Sequence, residues 1–410
     1  MRFDALTSAP YRRFWLGSIA SVGSTQLYFI SKAWLVFELS GSAIDLGFLG
    51  ASTAVPTIIA TLIGGLVADR INRRSVLILT SGMSSLLLIL LGILDASELV
   101  RVWHVLLISS LLGLVQGFDF PARSSIFPSL IDQKQMMSAV SLNSILWQGS
   151  RMILPAIGGF LISITDTSLI FFICGTGFFC MMIVLLTLEV RRDNHNNDTV
   201  WNEFQEGVKY VLQHRLFLTL ILLSWISMFF GTSYIQIMPL FADMLQSGER
   251  GFGLLISSTG VGSIIGNLFI SHYQESRKLG IMMISSAAVA PCCLIGFSLV
   301  AWIFAGKAGA FWMACCFAIL ASALSSVFLV SSMTFLQVKV PDTFRGRVMG
   351  IHSITFSMIS LGGLAAGVIA ANFSAPFAVV IGSLIVISSV TLVAFKFSEI
   401  VKLNLNNFSV

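Results

Sequence analysis

The sequence predicts an all-α membrane protein with about twelve transmembrane helices in two bundles of six. Of its 410 residues, 56% are hydrophobic and only 10% are charged, whereas a soluble domain has roughly a quarter of its residues charged. The mean hydropathy is +0.90, so lipid must form part of the solvent of this chain. Long apolar runs recur along the whole length between short polar loops.

Each apolar run is long enough to cross a bilayer, which requires ~20 residues of helix. The longest polar stretch follows the sixth run and divides the chain into an N-terminal bundle (1–190), a linker (191–216) and a C-terminal bundle (217–410). The predicted spans are 14–38, 43–68, 75–94, 103–122, 137–165, 167–189, 217–241, 250–272, 279–300, 310–333, 347–371 and 374–396.

The basic residues predict the orientation of these spans. Of the 24 Lys and Arg residues, only Arg101, Arg250 and Lys307 fall in the loops that are outside if the N-terminus is cytoplasmic. Lys32 and Arg151 lie within spans, and the others lie in inside segments. Because cytoplasmic loops are enriched in Lys and Arg, this asymmetry favours an even number of spans and two cytoplasmic termini.

The linker contains a second periodic pattern. Its apolar residues recur at helical spacing, which indicates an amphipathic helix on the cytoplasmic membrane face, and a solvated linker is the alternative. These apolar residues are Trp201, Phe204, Val208, Val211 and Leu212.

Several classes of function are disfavoured. The positive charges are spread over short loops instead of forming one patch, which argues against nucleic acid as a partner. The five histidines are scattered and the six cysteines lie within apolar runs without metal-ligand spacing, so we expect neither an enzyme nor a cofactor. A Walker phosphate loop, which an ATP-driven pump needs, does not occur. A membrane scaffold without transport is an alternative that leaves the buried Arg151 without a role.

The loop after the second span carries the most specific motif. It reads GGLVADRINRR, with an acidic residue at the helix end and a basic cluster in a short loop. The segment resembles the signature loop of the major facilitator superfamily, with Asn72 where that family usually has glycine. The matching residues, to which the resemblance assigns a conformational or gating role, are Gly65, Asp69, Arg70, Arg73 and Arg74.

Three further segments resemble the branch of this superfamily that contains enterobactin exporters and macrolide or multidrug efflux proteins. They are 34–47, 117–131 and 335–350, and the resemblance covers nearly the whole chain. It implies the major facilitator fold, a monomer in the bacterial inner membrane, and a small-molecule substrate exported in exchange for protons. An importer of the same fold is the alternative, because these motifs identify the branch but say little about the substrate or the direction of transport.

Two departures from family motifs affect spans four and five. Span five is similar to the antiporter motif at Pro155, Gly158 and Gly159, but Leu154 replaces the first glycine; a proline kink with close packing explains these residues equally well. In span four, Gly113 occupies the position of the usual arginine. Asp119 lies at the cytoplasmic end of this span with Arg123 one turn further on, and their spacing of four predicts an ion pair with a gating role.

Polar residues inside the spans are the candidate substrate site, since an ionisable group at membrane depth normally faces a cavity or a partner. Thr25, Tyr28 and Lys32 share one face of span one with Ser21, and Gln148 and Arg151 share one face of span five with Ser141 and Ser144. We expect both stripes to line a central cavity and to favour an anionic or oxygen-rich substrate. Internal pairing is the alternative, for example of Lys32 with Glu38 or Asp45.

The C-terminal bundle offers weaker candidates. Ser224, Ser227 and Tyr234 share one face of a helical span seven, with Gln236 nearby. Arg345 and Arg347 are expected to contribute to gating at the cytoplasmic end of span eleven, where a structural role is expected for His352. No carboxylate lies clearly at mid-membrane depth, so the residue that would carry a proton is left open.

Overall fold

The computed structural model describes residues 4–68, 72–188, 200–273, 279–307 and 309–396. Over these residues the chain is helical and contains no strand, which confirms the all-α fold class. The α-helices are α1 (Ala9–Ser40), α2 (Ala43–Ala68), α3 (Arg73–Ala96), α4 (Val102–Ile126), α5 (Met136–Ile162), α6 (Thr167–Leu186), α7 (Val200–Gln213), α8 (Arg215–Ile226), α9 (Met238–Met244), α10 (Gly248–Tyr273), α11 (Leu279–Ile303), α12 (Ala310–Lys339), α13 (Asp342–Asn372) and α14 (Ala375–Lys396).

Within the described ranges, eleven helical segments are long and apolar enough to cross a membrane. The predicted span that is missing from these eleven is α1. Its 32 residues are interrupted by serine, threonine and glutamine and are therefore less apolar than the other spans. These polar residues are mostly buried inside the protein, as Ser21 and Ser24 illustrate. A helix can therefore take the place of a span in the fold while its composition alone identifies it poorly.

The chain forms two compact units. One comprises residues 1–41 and 52–200, and the other comprises residues 42–51 and 201–410. The first unit has an apolar core at one end of its bundle, around Tyr11, Phe14 and Leu77. The second unit has a larger core around Phe217, Phe328 and Phe335.

Helix α7 lies in the segment for which an amphipathic linker helix is predicted. Val208 and Val211 pack on the core of the second unit, and Val211 is only 4% exposed. The side chains of Trp201 and Phe204 lie outside the described set. The described apolar residues of α7 are thus covered largely by protein, although Leu212 is exposed.

Glycines set the closest helix contacts. A Cβ at Gly262 or Gly266 of α10 would lie 2.2 Å from the carbonyl oxygen of Ile319 or Ala323 of α12. The glycine-rich run around these residues is therefore a packing surface of the kind that membrane helices use.

Candidate functional site

The polar stripe of α1 is buried within the first unit. Lys32 Nζ donates a hydrogen bond to Thr53 Oγ1 of α2 at 3.0 Å, and it lies 4.7 Å from the centre of the Tyr28 ring. The Tyr28 hydroxyl is 2.8 Å from Ser109 Oγ of α4. We call these four residues the lysine cluster.

The lysine cluster is held tightly by its surroundings. Tyr28 is 4% exposed and Lys32 is 7% exposed, and the Tyr28 ring meets Phe171 of α6 edge-on. Thr53 is only half-buried, so it forms the more open side of the cluster. The internal pairing of Lys32 with Glu38 or Asp45, considered as the alternative, is not present, because a hydroxyl and a ring are the contacts of this ammonium group.

A second polar group lies nearer the N-terminal end of α1. Arg123 Nε is 2.9 Å from Asp119 Oδ2, as the spacing of four predicts. Asp119 also accepts a hydrogen bond from Thr80 of α3 at 3.1 Å, and Arg123 donates to the hydroxyls of Ser18 and Ser21 of α1 at 3.4 and 3.3 Å. We call this group the arginine cluster. Its side chains are mostly buried, with Arg123 at 11% and Asp119 at 19% exposure.

The two clusters occupy different depths along α1. Ser21 and Lys32 are eleven residues apart, which is about 16 Å of helix at 1.5 Å per residue. Thr25 lies between them and donates to the backbone oxygen of Ser21 at 3.0 Å. Its hydroxyl therefore bonds within its own helix.

Gly113 explains why this span four lacks an arginine. A Cβ there would lie 2.4 Å from the carbonyl oxygen of Thr53, so no side chain fits between α2 and α4. Thr57 Oγ1 donates to the Gly113 oxygen at 3.0 Å across the same contact. Lys32 is the basic residue that α1 contributes at the level of Thr53.

The stripe of α5 is more open. Gln148 and Arg151 are half-buried, whereas Ser144 is exposed. Further along the helix, a Cβ at Gly158 would lie 3.0 Å from the Ile30 side chain of α1, and α5 continues through Pro155. Pro155, Gly158 and Gly159 are all buried, which fits close packing against α1.

Span seven is broken where its polar candidates lie. A π-helical segment (Ser227–Thr232) and a 3₁₀ segment (Ser233–Ile237) separate α8 from α9. The prediction of a shared face for Ser224, Ser227 and Tyr234 assumed a continuous α-helix, and the structure does not continue as α-helix from Ser227 to Ile237. Broken helices inside membranes line cavities or are covered by protein.

The two span-seven candidates contact different neighbours. Tyr234 lies 5.7 Å from Phe297 of α11, measured between ring centres, whereas Gln236 Nε2 donates to Ser360 Oγ of α13 at 3.1 Å. Both are buried, with exposures of 4% and 5%. Ser224 instead bonds the backbone of its own helix and lies 3.4 Å from Ser332 of α12.

The signature loop is only partly described. Asp69 and Arg70 lie outside the described residues, and Gly65 lies in a stretch of α2 whose burial is not described. Arg74 donates to the carbonyl oxygens of Leu185 and Leu186 at 2.8 Å each, so it caps the end of α6. Asn72, which replaces the usual glycine, accepts a hydrogen bond from the Arg74 backbone at 3.0 Å and caps the start of α3.

The basic segment at the start of α13 contacts the linker helix. Arg347 donates to Glu206 of α7 at 2.6 Å, and Tyr210 of α7 stacks on Phe344 at 4.4 Å between ring centres. Burial in this contact raises the pKa of the Tyr210 hydroxyl above its usual value. Arg345 pairs with Asp342 at 2.5 Å.

Sequence reasoning missed the partners of the predicted residues more than the residues themselves. Thr53, Ser109 and Thr80 are the groups that contact Lys32, Tyr28 and Asp119. Hydroxyl residues are common in membrane helices and bond their own backbone, so no sequence signal distinguishes these three. His352 is 1% exposed within the second unit, consistent with the structural role expected of it.

Two helical units with apolar spans and polar clusters buried within the helices define a polytopic membrane transporter. A family model described as transmembrane secretion effector matches residues 2–408. The chain therefore belongs to this family of the major facilitator superfamily, whose members transport small molecules and are not enzymes. The resemblance seen in the signature loop is confirmed.

Relatives and solved structures agree with this membership. The chain is 24% identical to the enterobactin exporter EntS of Escherichia coli O1:K1 over 95% of its length and 94% of that protein. It is 23% identical to the staphyloferrin A transporter of Staphylococcus aureus over 82% and 83% of the two chains. A crystal structure of a D-xylose-proton symporter matches with a TM-score of 0.71 at 15% identity, over 100% and 99% of the two chains, which supports the fold alone.

Proposed function

We propose that this protein exports a small amphipathic molecule, a siderophore or a drug-like compound, across the bacterial inner membrane. The observation that carries the proposal is the lysine cluster, in which a basic group 7% exposed is held deep inside a bundle of apolar helices. Ionisable groups in such places mark substrate or ion pathways. The names of two relatives, a siderophore exporter and a siderophore transporter, favour the same class of substrate.

The export is driven by proton antiport, through rocker-switch alternating access of a monomer with both termini in the cytoplasm. The substrate contacts are assigned to the two stripes and to span seven, and gating is assigned to the signature loop, the arginine cluster and the start of α13. The proposed substrate-binding residues are Thr25, Tyr28, Lys32, Gln148, Arg151, Tyr234 and Gln236, and the proposed gating residues are Gly65, Asp69, Arg70, Arg73, Arg74, Asp119, Arg123, Arg345 and Arg347.

An importer is the second candidate, since a proton symporter shares the fold. Transport by inverted membrane vesicles separates the two candidates, because export from the cell appears there as uptake. Enterobactin, staphyloferrin A and the amphipathic dye Hoechst 33342 are suitable probes. We expect uptake of at least one of them when the vesicle interior is made acidic, and loss of this uptake when nigericin collapses the pH gradient.

The Arg151→Met variant tests the α5 stripe of the proposed substrate site. We expect it to reach the membrane at the wild-type level and to lose most of the uptake. Probe accumulation only in right-side-out vesicles would instead establish import. Full uptake by the Arg151→Met variant would remove the α5 stripe from the proposed site.

A further inference from the structure

The lysine cluster contains a basic group without an acidic partner. The Lys32 ammonium carries three N–H donors, and its contacts are one hydroxyl at 3.0 Å and one aromatic ring at 4.7 Å. Neither contact carries a negative charge. Among the described residues, no carboxylate forms an ion pair with Lys32.

The described helices α3 to α6 offer no substitute. The described helices α5 and α6 contain neither Asp nor Glu. The acidic residue of α4, Asp119, is paired with Arg123, and Asp95 of α3 accepts a hydrogen bond from Thr167. Glu38 of α1 itself is exposed.

An ammonium group without a counter-ion is unfavourable in this position. A lysine within a membrane helix costs up to about 2.5–3.5 kcal/mol on insertion scales, the value at the helix centre, and the loss of its hydration is offset only by good pairing. One hydroxyl and one ring supply part of this pairing. The Tyr28 and Ser109 hydroxyls bond each other, whereas Thr53 accepts only one of the three N–H donors of the ammonium. The other two donors are available for charge-assisted hydrogen bonds to an anionic oxygen group.

We propose that the cargo itself supplies the counter-ion of Lys32, through a carboxylate or another anionic oxygen group. This inference rests on the proposed transport function and deepens it, since it names the charge of the substrate at one subsite. The anion reaches the amine from the side of Thr53, the half-buried member of the cluster. Arg151 does not share this subsite. Helix α5 packs on α1 with Leu154 beside Gly23, which is nearer the N-terminal end of α1 than Lys32 is.

The test compares an acid with its neutral amide on the purified full-length protein. The probes are 1-pyrenebutyrate and 1-pyrenebutyramide, which differ in charge and little in shape, and the readouts are binding by fluorescence titration and the midpoint of thermal unfolding. We expect the wild type to bind the acid roughly tenfold or more tightly than the amide, because hydrogen bonds to charged groups contribute about 1.5–3 kcal/mol. Lys32→Met should lose this preference, whereas Lys32→Arg and the exposed control Lys307→Met should keep it.

The ligand-free protein gives a second readout that a merely structural lysine would not produce. Because the empty site leaves the ammonium uncompensated, Lys32→Met should unfold about 2 °C or more above the wild type. Equal binding of acid and amide by the wild type, an unchanged preference in Lys32→Met, or a Lys32→Met protein that is less stable or does not fold would each overturn the proposal. These results do not depend on the direction of transport, so vesicles that establish import would refute the proposed export and leave the role of Lys32 standing.

Discussion

Arg347 and Glu206 form a 2.6 Å ion pair that joins the start of α13 to the linker helix α7. The helices approach closely here, because a Cβ at Gly207 would lie 2.7 Å from the Arg347 Cβ. Tyr210 completes the contact by stacking on Phe344. The linker helix is thus docked on the second unit through charge, ring stacking and apolar packing together.

Reversing one charge of this pair should reduce transport more than it reduces stability. The two side chains are 25% and 60% exposed, and exposed pairs contribute only about 0–1 kcal/mol. We therefore expect Arg347→Glu and Glu206→Arg to unfold near the wild-type temperature but to transport several-fold more slowly in vesicles. The double variant should recover transport, since it restores an attractive pair.

Lys209→Glu is the charge-matched control, since Lys209 lies on the same helix with its side chain exposed. It should transport at the wild-type rate. If Glu206→Arg also transported normally, the docking of α7 at Arg347 would have no part in the transport cycle.

Breaking the Asp119–Arg123 pair of the arginine cluster should lower the stability of the protein more than breaking the Arg347–Glu206 pair does. Asp119→Asn leaves the guanidinium of Arg123, 11% exposed, without its carboxylate, and removal of one partner from a buried pair costs about 3 kcal/mol or more. Equilibrium unfolding in mixed micelles measures this loss. The double variant Asp119→Asn with Arg123→Gln should be more stable than the single one, because no charge is then left unpaired.

Asp342→Asn is the control for this cycle. Asp342 also pairs with an arginine, but its side chain is 87% exposed, so the change in unfolding free energy should stay within about 0.5 kcal/mol. Equal losses for Asp119→Asn and Asp342→Asn would contradict the description of Asp119–Arg123 as a buried ion pair.

Arg74 should behave as a helix cap whatever its part in gating. Its two hydrogen bonds to the last carbonyls of α6 satisfy acceptors that have no partner within the helix. Arg74→Met should lower the unfolding free energy by about 1–2 kcal/mol, and Arg74→Lys by less. Arg101→Met, at an exposed loop position, should have no measurable effect, and an Arg74→Met protein as stable as that control would argue that Arg74 serves gating alone.

The sequence predicted the helices well because hydrophobic length is a strong and local signal. It predicted α1 from the same signal, although the serines that pack inside the bundle make α1 the least apolar span. The Asp119–Arg123 pair was also predictable, since both residues lie on one helix and a spacing of four places them together.

Contacts between helices were less accessible to sequence reasoning. The partner of Lys32 is a threonine on the next helix, and nothing in the sequence distinguishes Thr53 from the other hydroxyl residues of the spans. The π-helical break of span seven was missed for a related reason. The segment 227–237 contains no proline, and its sequence predicts a continuous helix. The break in the α-helix therefore depends on tertiary packing.

The glycines of α10 give a prediction that depends on packing alone. Gly262→Val should destabilise the second unit, because even a Cβ would lie 2.2 Å from the Ile319 carbonyl oxygen and α10 and α12 would have to separate. A forced shift of this kind costs about 1–3 kcal/mol or more, which equilibrium unfolding in mixed micelles resolves. Gly350→Ala is the matched control, since nothing lies within 4 Å of a Cβ there; in a helix that change should be neutral or stabilising by up to ~1 kcal/mol. A Gly262→Val protein as stable as this control would mean that α10 and α12 do not approach each other closely in the membrane.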